Sequence, residues 1–224
     1  MLDPSLLGRL SFTPAEPGHP PLPPGRHPIT LADGRHALLF IPEGIEANAP
    51  VPLMVMFHGA GGFPEKVLPH LEAHAQRHKF LVLAPHSLYP TWDIVIGGNG
   101  PDLQRLHQAL TAVTSRYRID PQRLAFAGFS DGASYALSLG LTNGDIASHV
   151  IAFSGGFMSV FMQTGIPKVF VAHGLADEQL PIASGRAHAA RLRAAGYDVE
   201  YVEFDGPHVI HAPVVERAID FFLQ

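Results

Sequence analysis

The chain is predicted to be an α/β protein, with one mostly parallel central sheet, helices on both of its faces and no large cap domain. Three observations predict it. The apolar runs are short and continuous rather than alternating, which means burial on both faces, as in a sheet sandwiched between helices. They alternate along the chain with longer amphipathic stretches that suit crossover helices. The length of 224 residues, 46% hydrophobic and 16% charged, fits one compact domain with a single core.

Residues 1–35 are read as an extended proline-rich arm and a first edge strand, and residues 36–224 as the α/β domain. Seven prolines between Thr13 and Pro28 remove donors and fix φ, so this segment should run extended over the surface. The strands then follow as HALLFIP (36–42), PLMVMFHG (52–59), FLVLAP (80–85), RLAFAGFS (123–130), HVIAFSGG (149–156), PKVFVAHG (167–174) and DVEYVEFD (198–205). Helices are expected over Glu65–His78, Asp102–Tyr117, Gly132–Leu141, Ala183–Ala195 and Pro213–Leu223. Asp120-Pro121 should stop the second of these, because a residue before proline is pushed out of the α region. Gly196 is placed to cap the fourth, since glycine accepts positive φ.

Composition excludes several function classes. Fifteen Lys+Arg against 20 Asp+Glu give a formal charge of −5, no electrostatic footprint for nucleic acid. With no cysteine, the chain has no disulfide framework, thiolate metal site, iron–sulfur cluster or cysteine nucleophile. Apolar stretches such as Pro52–Phe57 and Phe80–Ala84 fall far short of the roughly 20 residues needed to span a bilayer. Asp3 and Pro4 stand where a signal peptide carries positive charge, so a cytoplasmic location is expected.

The strongest chemical signal is Gly128-Phe129-Ser130-Asp131-Gly132, between an expected strand and an expected helix. A serine at a sharp strand-to-helix turn is lifted above the sheet, and flanking glycines let helix and strand approach. Ser130 is the expected nucleophile; the alternative is a serine that only caps the helix. A tetrahedral intermediate needs N–H donors aimed in advance at its oxyanion. His58-Gly59-Ala60-Gly61-Gly62 ends an earlier strand, so the backbone N–H groups of Ala60 and Asp131 are the expected pair. His58 is expected to brace that turn by hydrogen bonding rather than to move protons.

A serine hydroxyl needs a histidine to take its proton and a carboxylate to orient that histidine, and on this architecture they follow in the order Ser, acid, His. Asp177 follows the strand ending AHG and is the expected acid, with Glu178 and Asp205 as rivals. His208, in the Gly206-Pro207-His208 loop after the last strand, is the expected base, with His211 as its rival. Walls of the cleft are sought at Trp92, in a Gly/Pro-rich connection, and at Phe157, Phe161 and Leu180. The Phe/Met-rich stretch after HVIAFSGG could equally be core or a dimer contact, and Trp92 simple packing. His70, His74 and His78 share a helix face at i, i+4, i+8, read as a solvated face rather than a metal site.

The combination HGAGG, GFSDG, AHGLADEQLP and GPHVI, in that order, resembles the α/β-hydrolase superfamily. Within it the chain is similar to the small bacterial phospholipase/carboxylesterase group, with its acyl-protein thioesterase-like and poly-hydroxybutyrate-depolymerase-like relatives. The resemblance covers about residues 36–224. It implies a catalytic domain there, a Ser130-Asp177-His208 triad, and hydrolysis of carboxylic esters or thioesters without a cofactor or metal. It also implies that PHSLYPTWDIVIGGNGPD lines the site. The expected substrate is a small-molecule ester of short to medium acyl chain; thioesterase or lysophospholipase activity is the alternative, and a non-catalytic receptor on the same fold a remote one. The expected partners include no nucleic acid and no membrane span, and a homodimer is possible.

Overall fold

The computed structural model describes residues 4–13, 16–46 and 49–224; Asp3 and Pro14 lie outside them. Its strands are β1 (Gly25–Thr30), β2 (His36–Ile41), β3 (Val51–Phe57), β4 (Leu81–Ala84), β5 (Ile119–Phe129), β6 (His149–Phe153), β7 (Lys168–Gly174) and β8 (Val199–Phe204). They form one eight-stranded sheet in the order β1-β2-β4-β3-β5-β6-β7-β8. β1 and β2 are antiparallel to each other and β2 to β4, while every pairing from β4 through β8 is parallel. The helices are α1 (Pro64–Val67), α2 (Pro69–His78), α3 (Asp93–Ile96), α4 (Pro101–Thr114), α5 (Asp131–Thr142), α6 (Ile182–Ala194) and α7 (Ala212–Leu223).

Side chains from alternate positions of the central strands enter two different cores. Leu53, Val55 and Phe57 of β3 face α4 and α5 together with Leu81, Leu83 and Phe126. Met54 and Met56 face α2 and α7 together with Val82, Ala127 and Phe222. All seven residues of β3 are buried, which is why the strand is continuously apolar in sequence. A third cluster joins Leu137 of α5 and Leu192 of α6 to Val150, Val169 and Val171.

The expected helix over Glu65–His78 is two helices, because Pro69 has no N–H to continue the ladder and starts α2 afresh. The helix expected to run to Tyr117 ends at Thr114, six residues before the aspartate expected to stop it; Asp120-Pro121 already lies in β5. Gly196 does follow α6 at φ 88°, its N–H donating to the Arg193 carbonyl. The proline-rich segment is laid against the end of α4. Gly18 and His19 donate their N–H groups to Ser115 O, Arg116 reaches Pro20 O, and Leu22 exchanges hydrogen bonds with the Tyr117 hydroxyl. Before it, Leu10 and Phe12 are buried in the core, and Arg9 bonds both carboxylate oxygens of Asp145, the Thr142 carbonyl and the Thr164 hydroxyl. No helix among the described residues is long and apolar enough to cross a membrane.

Candidate active site

The parallel strands all point their C-terminal ends to one edge of the sheet, the edge where ligands of open α/β sheets bind. Ser130 follows β5 there and has φ 57° and ψ −121°, a conformation strained for any residue with a Cβ. The surrounding backbone holds it. Its N–H donates to Phe153 O at 3.0 Å, and its carbonyl accepts from Ala133 and Ser134 at 2.9 and 3.1 Å. This tight turn needs its glycines: a Cβ on Gly128 would run into the Gly132 carbonyl, and one on Gly132 into the backbone of Phe57 and His58.

Asp177 follows β7 and His208 follows β8, so the pairing of these strands brings them together. His208 Nδ1 lies 2.7 Å from Asp177 Oδ2, and both side chains are almost wholly buried. The other Asp177 oxygen accepts the N–H groups of Gln179 and Leu180 at 3.0 and 2.8 Å. Burial alone would raise the Asp177 pKa, but the hydrogen bonds from Leu180, His208 and Gln179 outweigh it and leave the carboxylate below its ordinary range. His208 Nε2 is buried with no partner among the described residues. The His208 ring packs on Phe129, the residue before Ser130, with centroids 4.7 Å apart. The geometry therefore couples Asp177 to His208 and seats that pair beside the serine turn. The rivals stand apart: Glu178 and Asp205 are exposed, and His211 stacks on Phe204 at 4.8 Å ahead of α7.

Sequence reasoning missed His173. It is wholly buried behind the acid, its Nε2 2.9 Å from Leu180 O and 3.3 Å from Asp177 Oδ2. Its signal was the histidine in AHG at the end of β7, buried because both faces of that strand are covered.

The turn after β3 lies against the nucleophile. A Cβ on Gly59 would sit 3.2 Å from Ser130 Cβ, so only a glycine fits comfortably there. Ala60 follows, and neither its N–H nor that of Asp131 has an acceptor among the described residues. His58 braces the turn as expected. Its Nε2 accepts the Ser87 N–H at 3.1 Å, which leaves Nδ1 protonated and donating to Gly59 O at 2.8 Å. Burial, with the neighbouring His86, Arg35 and Lys66, lowers the His58 pKa to about 4.

A cavity of about 510 Å³ opens between this turn and the base, lined by Ala60, Val67, Phe129, His208, Val209 and Ile210, with Lys66 and His70 also on its wall. None of the four expected wall residues lines it, and Trp92 is corrected by its packing. Trp92 is 1% exposed, its ring stacked on Tyr135 at 4.8 Å and its indole N–H donating to His58 O at 2.8 Å, so it is an internal support. Phe157 is half-buried where Ser134 Oγ accepts the Gly156 and Phe157 N–H groups and folds the chain back over α5. Leu180 packs against Gly156, and Phe161 is 66% exposed. The walls were missed because Val67, Val209 and Ile210 read in sequence as ordinary apolar residues flanking helices.

The family model of phospholipases and carboxylesterases matches residues 101–223. The probable feruloyl esterase C of Aspergillus niger is 29% identical over 183 residues, covering 75% of this chain and 66% of that protein. Feruloyl esterase C of Emericella nidulans is 27% identical over 198 residues, covering 83% and 72% respectively. The chain thus spans about two thirds of the length of these relatives. A substrate-bound fluorophosphonate-binding serine hydrolase of Staphylococcus aureus superposes with a TM-score of 0.73 over 90% of this chain and 100% of its own, at 16% identity. At that identity the likeness is one of fold, the α/β-hydrolase fold.

Proposed function

The chain belongs to the phospholipase/carboxylesterase family, and from that premise we propose that it is a serine hydrolase of carboxylic esters working through an acyl-enzyme on Ser130, His208 and Asp177. The observation that carries this reading is the 2.7 Å contact between His208 Nδ1 and Asp177 Oδ2 beside a serine at φ 57°. In the cycle, Ser130 Oγ attacks the ester carbonyl carbon while its proton passes to His208 Nε2. The Asp177 carboxylate holds the opposite N–H and stabilises the imidazolium as it forms. The carbonyl oxygen, now negative, is received by the N–H groups of Ala60 and Asp131, the latter at the positive end of α5. His208 then protonates the leaving alcohol as the C–O bond breaks, and water repeats the two steps to release the acid.

The cavity beside His208 supports substrates of modest size, within the usual 300–1,000 Å³ range of small-molecule sites. Its walls, Val67, Phe129, Val209 and Ile210, suit a short to medium acyl chain. They also suit the aromatic group of a feruloyl ester, the reading that the names of the fungal relatives favour. The test is fluorophosphonate labelling with peptide mapping on wild type and Ser130→Ala, beside hydrolysis of p-nitrophenyl acetate, butyrate and octanoate and of methyl ferulate. Labelling at Ser130 that vanishes with turnover in the variant is expected. A folded wild type that neither labels nor turns over would overturn the proposal.

A further inference from the structure

Three consecutive residues between β4 and α3 tie together the two elements that carry the oxyanion donors. Pro90 O accepts the Gly61 N–H at 2.6 Å, and the Thr91 hydroxyl donates to Asp131 Oδ2 at 2.6 Å. Trp92 donates its indole N–H to His58 O, at 2.8 Å, and stacks on Tyr135 of α5. Both ends of this strap are held by one buried side chain: Asp102 Oδ1 accepts the Leu88 N–H at 2.7 Å, and Oδ2 accepts the Asp93 N–H at 2.9 Å. The spacing between Ala60 on the β3 turn and Asp131 on α5 is therefore set from a third segment that contributes no side chain to the cavity.

The middle residue of the strap meets a particular electrostatic problem. Asp131 offers its N–H to a developing oxyanion, yet carries a carboxylate on the same residue, within a few ångström by covalent geometry. Its negative charge suits the start of α5 but opposes the charge that forms in the reaction. Resting on the serine-esterase reading, we propose that Thr91 is a positioning residue: its hydroxyl holds the Asp131 carboxylate turned toward the strap, so that the backbone N–H and not the side chain faces the oxyanion.

The test is a double-mutant cycle with p-nitrophenyl butyrate, reading kcat and KM separately and checking folding by thermal melts. Thr91→Val should lower kcat about 10- to 100-fold with KM little changed, since the interaction matters only once the oxyanion forms. Thr91→Ser should keep most of the activity. In an Asp131→Asn background, where no charge needs holding, Thr91→Val should change kcat less than threefold. If Thr91→Val folds poorly, Thr91→Ala completes the same cycle. Wild-type kcat in the folded Thr91 variant, or the same loss with and without Asp131→Asn, would overturn the inference while leaving the esterase reading intact. Failure of Ser130 labelling in the wild type would instead remove the reading it rests on.

Discussion

Replacing His58 with glutamine should remove a pH-dependent part of the folding stability while leaving the fold in place. His58 is wholly buried, and its Nε2 is the acceptor for the Ser87 N–H. Protonating it would turn that acceptor into a donor facing a donor, beside Arg35 and Lys66. Its pKa falls from the ordinary 6.5 to about 4 on folding. The unfolded chain therefore binds the extra proton first, and the stabilisation is present above pH 6.5 and lost as pH falls toward 4. The fall from 6.5 to about 4, at 1.36 kcal/mol per pH unit, makes the full contribution roughly 3 kcal/mol, of which about 2 kcal/mol is lost between pH 7 and pH 5. Glutamine reaches the Nε2 position with an oxygen and does not titrate. In urea melts of both proteins at pH 7 and pH 5, wild type should lose about 2 kcal/mol more than His58→Gln. Equal losses in the two proteins would refute the reasoning, as would a greater loss in the variant.

Three further outcomes follow from the same geometry. Ser130→Gly should melt higher than Ser130→Ala, by about 1 kcal/mol, because only glycine relieves the strain at φ 57°, and both should be inactive. Gly128→Ala should destabilise by about 3 kcal/mol or more, seen as loss of soluble folded protein or a large drop in urea midpoint, since its Cβ meets backbone that cannot rotate away. Arg9→Met should flatten the acid limb of stability. Its hydrogen bonds hold the Asp145 pKa at about 2 instead of 3.8, so wild type keeps a contribution above pH 3.8 that is lost as pH falls toward 2, and acid titration of the variant should lack that step.

The sheet was legible because burial on both faces writes itself as continuous apolar runs, and each of the seven strands read from the sequence is present. Strand β1 carries no such pattern: GRHPIT alternates half-buried and exposed positions at the sheet edge and contains a proline, so little beyond position marked it. Ser130, Asp177 and His208 were legible as candidates for a topological reason. Each follows a parallel strand, and parallel strands bring their ends to one edge whatever the loops between them do. The cavity walls had no comparable rule. Trp92 looked like a rim residue from its Gly/Pro-rich surroundings, and only its stacking on Tyr135, 43 positions away, decides that it is internal. The Asp93–Asp102 arrangement was invisible for the same reason. Two carboxylates are buried together, the second with its pKa raised to about 6 by burial and by the first, in order to serve backbone N–H groups that no sequence pattern announces.

The order of the proposed triad along the chain bears on when activity can begin. Ser130 and the β3 turn lie in the middle of the sheet, flanked by strands synthesised early or soon after, whereas Asp177 and His208 depend on β7 and β8 at its far edge. Domains generally fold as units. On the proposed mechanism, a chain still lacking β7 and β8 lacks both the base and the acid that Ser130 needs. In that mechanism competence arrives only when β8 is zipped onto the sheet beside β7, so that completion of the sheet and onset of reactivity become the same event.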